Sequence, residues 1–532
     1  MADAIAEEAQ AGRTGTVCAC VVNLGCKVNR IESDWMEREL HEAGCMLVEE
    51  QQADVVLINT CAVTGEAEAK TRKAIRHAAG MERRPLVCVT GCVANLFPEE
   101  IAELGERVHV VADKAAAVRE ALRLLAAGAD TGVGVPSVVA CGDEGRETDA
   151  EGTLNAPLLP SAWHDGSDAP IATGRDTTPD ACSVRPMSET VSAGAETVRS
   201  ESKAPAASAP AVTHGHEGDD APETRLRRGV KVQDGCDNRC TYCIVWRARG
   251  PVRSTPLEQI ERQVRAVLAD GAGEIVLSGI NLGRFRGTAP DGTPILLDGL
   301  LRRVVALAGE QAIVRASSIE PPDATREFAE AMAELRGHVC PHLHLPLQSG
   351  CDTTLARMGR AYDTAAFAAT VTMVRDALPE LSLSTDVIAG FPGETDEEFE
   401  RTLAFCRQMR FSKMHVFRFS ARPDTPAATM PNQVDPRVAQ ARSERLRSLA
   451  DELRAADATA RVGSVEPILV ERIAPDGSAR GTTASYHRAV VEPADNRPGT
   501  VVPGLVRASI ESYDPRTRLL HARALGTPYI TS

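Results

Sequence analysis

Residues 233–243 read Gln-Asp-Gly-Cys-Asp-Asn-Arg-Cys-Thr-Tyr-Cys, and the grouping of Cys236, Cys240 and Cys243 there governs the reading of the rest of the chain. The three thiols share one short loop directly after an apolar stretch, Val230 to Gln233, that reads as a buried strand. Three thiolates on one loop can hold three irons of a [4Fe-4S] cluster and leave the fourth iron open. A structural zinc wants a fourth protein ligand, and this loop offers no further Cys or His.

Downstream, residues 229–455 alternate strand and helix. Further strands are expected at Glu274 to Ser278, Ile313 to Ser317, His342 to Leu347, Leu383 to Ile388 and Met414 to Phe419. Between them, Leu257 to Leu268, Leu297 to Leu307, Thr325 to Leu335, Ala365 to Leu378 and Glu397 to Met409 carry helical apolar spacing. Successive βα units of this kind curl into a partial, six-stranded barrel whose chemistry sits at the strand C-terminal ends. After a charged helix, Pro436 to Ala458, short strands broken by turns at Asp476-Gly477, Pro498-Gly499 and Pro503-Gly504 form a small all-β module. Its 8 arginines and 7 acids over 464–526 leave it near neutral, so charge does not single it out as an RNA platform, although its size suits one.

Upstream, residues 1–125 read as a small α/β domain. Strands are expected at Val17 to Leu24, Val55 to Ile58, Leu86 to Thr90 and Val108 to Val111. Helical spacing runs through Ile31, Trp35, Met36 and Leu40 and again over Lys70 to Ala79, and Asn29-x-x-Glu32 has the form of a helix cap. Cys26, Cys61 and Cys92 each follow the end of an expected strand. In a parallel sheet those ends share one edge, so the three thiols can converge as a second cluster site although they are far apart in sequence. Cys18, Cys20 and Cys88 lie inside strands, where small buried hydrophobes are expected.

Of the 532 residues, 43% are hydrophobic and 25% charged, a globular composition with room for about three domains of roughly 100–200 residues. No apolar run reaches the roughly 18 residues of a spanning helix. The 15 cysteines suit metal binding in a reducing, cytosolic compartment better than disulfides. The formal charge of −15 is uneven: residues 126–224 hold 17 acidic and 5 basic side chains, whereas Arg225 to Ser254 holds 8 basic and 2 acidic. A local basic patch beside the cysteine loop matters for a polyanionic partner, because screening acts over about 10 Å. Residues 126–224 lack periodicity and read as a disordered acidic insertion whose cysteines, Cys141 and Cys182, have no spacing partner.

The Cys236-Cys240-Cys243 loop after a first barrel strand matches the radical-SAM superfamily. The whole pattern resembles the MiaB-type methylthiotransferases, with a three-cysteine N-terminal domain, a radical-SAM barrel and a C-terminal module similar to the RNA-binding TRAM domain. Gly-Cys-Lys-Val-Asn at 25–29, Gln-Asp-Gly-Cys at 233–236 and Ala-Arg-Gly-Pro-Val-Arg-Ser at 248–254 resemble the MtaB branch. That resemblance implies methylthiolation of N6-threonylcarbamoyladenosine at tRNA position 37, on C2 of the adenine, an unactivated carbon that needs radical activation. It implies two [4Fe-4S] clusters, an auxiliary one on Cys26, Cys61 and Cys92 and one on Cys236, Cys240 and Cys243 that binds S-adenosylmethionine (SAM). SAM would serve as both methyl donor and radical source, and an electron donor and a sulfur source are required.

Tyr242, Gly279, Glu320, Gln348, Arg360 and Asp386 fall beside the cysteines or near expected strand ends and are candidates for contacting SAM or substrate. The expected domains are 1–125, the insertion 126–224, the radical-SAM core 225–460 and the TRAM-like barrel 461–532. Two segments depart from the family pattern: Ile244-Val245-Trp246-Arg247, where a proline-containing stretch is usual, and Met358-Gly359-Arg360-Ala361-Tyr362, which is less basic. Trp246 is placed to stack on a base or to pack in a core. Two other readings are methylthiolation of a ribosomal-protein aspartate and an RNA-binding module with two structural zincs.

Overall fold

The computed structural model describes residues 16–131, 138–139, 226–474, 478–494 and 501–526. Most of the expected acidic insertion, with Cys141 and Cys182, lies outside the described residues, as do the Asp476-Gly477 and Pro498-Gly499 turns.

The N-terminal domain is a parallel sheet of β1 (Cys18–Asn23), β2 (Met46–Leu47), β3 (Val55–Thr60), β4 (Leu86–Gly91), β5 (Val108–Val111) and β6 (Val138–Val139), in the order β2-β1-β3-β4-β5-β6. Every residue of β3 and β4 is buried, as expected for parallel strands covered on both faces. Helices α1 (Lys27–Glu42), α2 (Gly65–Ala79) and the short α3 (Cys92–Leu96) each start just beyond the end of β1, β3 or β4. Cys88 is core, whereas Cys18 and Cys20 are only half-buried. The expected cap at Asn29 and Glu32 does not form. Cys26 occupies the N-cap, and both side chains are buried inside the first turns of α1, where tertiary partners outcompete local capping.

The central domain has six barrel strands: β7 (Arg227–Lys231), β8 (Glu274–Ser278), β9 (Ile313–Ala316), β10 (His342–His344), β11 (Ser382–Ala389) and β12 (Lys413–Arg418). They form two parallel three-stranded sheets, β9-β8-β7 and β10-β11-β12, joined by a parallel bridge between Ser318 and His344. β7 and β12 do not pair, so the barrel is open on that side, and α1 packs along the β7 edge. β10 stops earlier than its apolar run suggests. Pro346 has no N–H to donate, and Leu347 instead donates its N–H to the Thr385 hydroxyl (2.9 Å). Leu343, Leu345, Leu383 and Met414 point outward into the core under the helices. The alternate residues of these strands therefore face the lumen.

The C-terminal module is a closed barrel of β13 (Val465–Ile473), β14 (Ala479–Thr483), β15 (Arg488–Glu492), β16 (Gly504–Asp514) and β17 (Leu519–Ala524), in the order β13-β14-β15-β17-β16. It closes the N-terminal end of the central barrel. Leu469, Ala484 and Leu505 pack on Ile313 and Cys340. Arg315, 1% exposed, holds Glu274 at 2.7 Å and donates to the Ala484 carbonyl at 2.9 Å. No helix among the described residues is long and apolar enough to cross a membrane.

Candidate active site

Two three-cysteine sets lie at strand C-terminal ends, one on each parallel sheet system. In the N-terminal domain the convergence is built by buried polar side chains. Asn29 donates to the Thr60 carbonyl (2.8 Å) and to Asn59 Oδ1 (3.1 Å), and Asn59 donates back to the Asn29 carbonyl (2.9 Å). The Thr60 hydroxyl accepts from the N–H groups of Val93 (3.1 Å) and Ala94 (3.3 Å) at the start of α3. Gly91 adopts φ +98°, and a Cβ there would sit 2.5 Å from the Thr60 carbonyl oxygen, so glycine is required for the Cys92 turn to lie against the Cys61 turn. The Cys61 thiol hydrogen-bonds Cys26 and, with the nearby Arg249 guanidinium, brings Cys26 down to about 5. Cys61 is correspondingly raised, first by that same hydrogen bond and then by burial. Cys61 and Cys92 are buried and Cys26 is exposed.

In the second set, Gly235 has φ +71°, and a Cβ there would overlap the Pro251 carbonyl oxygen at 1.8 Å. The loop is pinned on both sides. Cys236 donates its N–H to the Gly250 carbonyl (3.1 Å), and Thr241 donates to the carbonyls of Met358 (3.0 Å) and Arg357 (2.9 Å). Burial raises the Cys236 thiol and pushes Cys243 up to about 12, so loading metal here displaces protons. Among the described residues, His344, Asp386 and His415 form a group whose metal-ligating atoms all lie within 4.8 Å of one another.

Of the candidate SAM contacts, Arg360 gathers three. It donates to Cys240 Sγ (3.2 Å) and the Tyr242 hydroxyl (3.4 Å), and it is ion-paired with Glu320. Burial raises the Glu320 carboxyl despite that guanidinium. Gly279 lies against Gln233, whose Oε1 accepts from the Asn281 N–H (2.8 Å). Gln348 has φ +67°, a strained conformation for a non-glycine residue, held by its N–H donating to the Asp386 carbonyl (2.8 Å). Asp386 itself faces His344 (3.3 Å) and not the cysteine loop.

The two cysteine systems are joined by a buried ionic network that the sequence reading did not identify. Arg249 donates to Glu32 (2.9 Å), Asp234 (3.0 Å) and Asn29 (2.9 Å), and Glu32 also holds Lys231 (2.8 Å) and Lys114 (2.5 Å). Arg249 thus ties the strand before Cys236 to the helix after Cys26, and Cys92 lies within its electrostatic reach. Its place in Ala-Arg-Gly-Pro-Val-Arg-Ser was the available signal. The same contacts correct the charge argument, because Lys231 and Arg249 are buried and neutralised and present no basic surface. The atypical segment after Cys243 is also accounted for: Ile244 and Ala248 bury into the N-terminal core beside Cys92 and Val93. Trp246 lies under the Arg239 guanidinium, 4.0 Å from the ring centroid.

Residues 230–406 match the model of the radical SAM superfamily, and residues 19–113 match an uncharacterized protein family, UPF0004. The chain is 31% identical over 488 residues to the threonylcarbamoyladenosine tRNA methylthiotransferase MtaB of Bacillus subtilis, covering 90% of this chain and 91% of that one. To MtaB of Thermotoga maritima it is 30% identical over 467 residues, covering 88% and 89%. To the ribosomal protein uS12 methylthiotransferase RimO of Desulforudis audaxviator it is 30% identical over 455 residues, covering 85% and 84%. Relatives named for a tRNA and for a ribosomal protein thus stand at the same distance, and what they have in common is the reaction. Similar to them over most of its length, the chain belongs to the radical SAM methylthiotransferase family, enzymes that use SAM and a [4Fe-4S] cluster.

Proposed function

We propose that the enzyme methylthiolates C2 of N6-threonylcarbamoyladenosine at tRNA position 37, with Cys236, Cys240 and Cys243 holding the SAM cluster and Cys26, Cys61 and Cys92 an auxiliary cluster. The observation that supports the two-cluster reading is the pair of three-thiol sets at strand C-terminal ends, joined through Arg249. The tRNA reading rests on the MtaB-like motifs and on the MtaB relatives. When bound, the clusters and SAM supply radical activation of C2, sulfur and the methyl group. The chain's own residues bind and orient. Arg360 presents Tyr242 and Glu320 to the SAM site, Gly279 and Gln348 line the strand ends, and Asp386 faces the lumen. The closed β-module is the proposed TRAM-like RNA contact, and an external electron donor and sulfur source complete the cycle.

Nucleoside analysis of a deletion strain tests the substrate. The methylthio form of N6-threonylcarbamoyladenosine is expected to vanish and return on complementation. Its persistence, with loss of a methylthio mass from a ribosomal protein, would instead identify a protein substrate. A second test addresses the SAM site. Arg360→Met leaves Glu320 and Tyr242 without their shared donor and is expected to weaken SAM binding to reconstituted enzyme by about tenfold or more, read by equilibrium dialysis. Unchanged affinity would remove Arg360 from the SAM site.

A further inference from the structure

The lumen of the open barrel contains two ammonium groups that form no ion pair among the described residues, although Asp386 acts on Lys27 from a distance. Tyr486, on the hairpin between β14 and β15 at φ +75°, closes the lower end and packs on the His342 ring, 4.8 Å between centroids. Four cations surround its ring: Arg315 at 4.6 Å, Lys413 at 5.0 Å, Lys27 at 5.2 Å and Arg227 at 5.8 Å. Burial pushes its hydroxyl up, but those four charges outweigh it and bring the group down to about 8. The two arginines are paired, both with Glu274 and Arg227 also with Glu471 (3.0 Å). Among the described residues no carboxylate lies within 4.0 Å of the Lys27 or Lys413 ammonium. Above them His344, Asp386 and His415 line the same lumen from β10, β11 and β12, and Asp386 is already engaged by His344.

Lys27 and His415 are exposed and Lys413 is half-buried, so the lumen is wet and accessible. Two like charges converging on one aromatic ring repel each other, an arrangement that an anion between them relieves. His344, Asp386 and His415 offer metal-ligating atoms, but burial first, then Lys413, His344 and Lys27, outweigh Asp386 and disfavour positive charge on His415. Adenine is neutral, so an anion in this lumen must be carried by a substituent or by the RNA backbone.

The geometry points to an anion-binding subsite formed by Lys27 and Lys413 over Tyr486, which takes the carboxylate of an acidic N6-substituent on the target adenosine. The proposal rests on the tRNA reading above and deepens it. A carboxylate gains two charge-assisted contacts here, whereas a dimethylallyl group would set apolar surface against two ammoniums. Lys27 directly follows Cys26, so one residue would connect substrate selection to the proposed sulfur-bearing cluster. Lys413 is remote in sequence from every cysteine proposed as a ligand and is the cleaner probe.

The test measures binding of three tRNA anticodon stem-loops to the reconstituted holoenzyme. Their position 37 carries adenosine, N6-threonylcarbamoyladenosine or N6-dimethylallyladenosine, and iron is quantified in every sample. The native enzyme is expected to favour the threonylcarbamoyl loop by about tenfold or more. Lys413→Met should abolish that preference while leaving the other two loops and the iron content unchanged, and Lys413→Arg should restore most of it. If Lys413→Met weakens all three loops equally, the subsite binds backbone phosphate and the proposal fails. An undiminished preference in Lys413→Met also overturns it, leaving the tRNA reading intact. A native enzyme that prefers the dimethylallyl loop overturns the functional reading and this inference together.

Discussion

Reconstituted Cys236→Ala enzyme is expected to hold about four irons, against the about eight that the proposed two clusters require of the native chain, and to cleave no SAM. Cys26→Ala should also fall to about four irons but still cleave SAM, because the cluster proposed for Cys26, Cys61 and Cys92 lies on the other sheet. Neither variant should form product, so activity alone would not tell them apart; iron content together with SAM cleavage does. The asymmetry follows from position. Cys236, Cys240 and Cys243 sit with Tyr242, Glu320 and Arg360 at the barrel end, whereas Cys26 sits with Cys61 and Cys92 behind the Asn29–Asn59 pair. Native enzyme with about four irons, all lost in Cys236→Ala and none in Cys26→Ala, would remove the auxiliary cluster and the main support for methylthiolation.

Arg249→Met is expected to be the most damaging substitution away from the cysteines. It would leave Glu32 and Asp234 with fewer cations in a water-poor site and the Asn29 side-chain oxygen with only the Cys26 thiol as donor. Breaking a buried ion network from one side costs about 3–5 kcal/mol. The midpoint of thermal unfolding should fall by about 5 °C or more, and both cluster loops should lose iron. Arg249→Lys keeps the charge but not the fork that reaches three acceptors, and should fall between the two. The penalty depends on pH with a definite sign. Burial pushes both carboxyls up, but Arg249, Lys114 and Lys231 hold Glu32 well below its usual range, and Lys231 and Arg249 hold Asp234 below its own. Stability from depressed carboxyls is present above their ordinary values near ~4 and lost as pH falls through the folded ones. The gap between native and Arg249→Met should therefore be full at neutral pH and shrink in acid. A midpoint within about 1 °C of native at neutral pH would show that the network does not hold the domains.

Much of the architecture is local information. Strand and helix periodicity, the Cys236 loop and the strand-end positions of Cys26, Cys61 and Cys92 are properties of short segments, and the barrel strands fall where alternation and spacing put them. β8 matches residue for residue. β7 begins earlier than its apolar run because Arg227 finds Glu274 across the ladder, a pairing that no local pattern announces. Glu32 shows the limit most clearly. In sequence it is the far end of a helix cap; in the fold it is a buried carboxylate binding Arg249, Lys231 and Lys114.

The sequence by itself determined the element types and the strand-end positions of six of the cysteines. Their positions follow from hydrophobic period and from where strands end, both readable within a few residues. Only the tertiary structure decided which charges survive as charges. Of the basic residues flanking the cysteine loop, Lys231 and Arg249 are neutralised internally, while Lys27 and Lys413, unremarkable in sequence, converge on Tyr486 with no ion-pair partner among the described residues. Electrostatic free energy depends on distance and burial, and residues separated by hundreds of positions acquire both only when the chain folds.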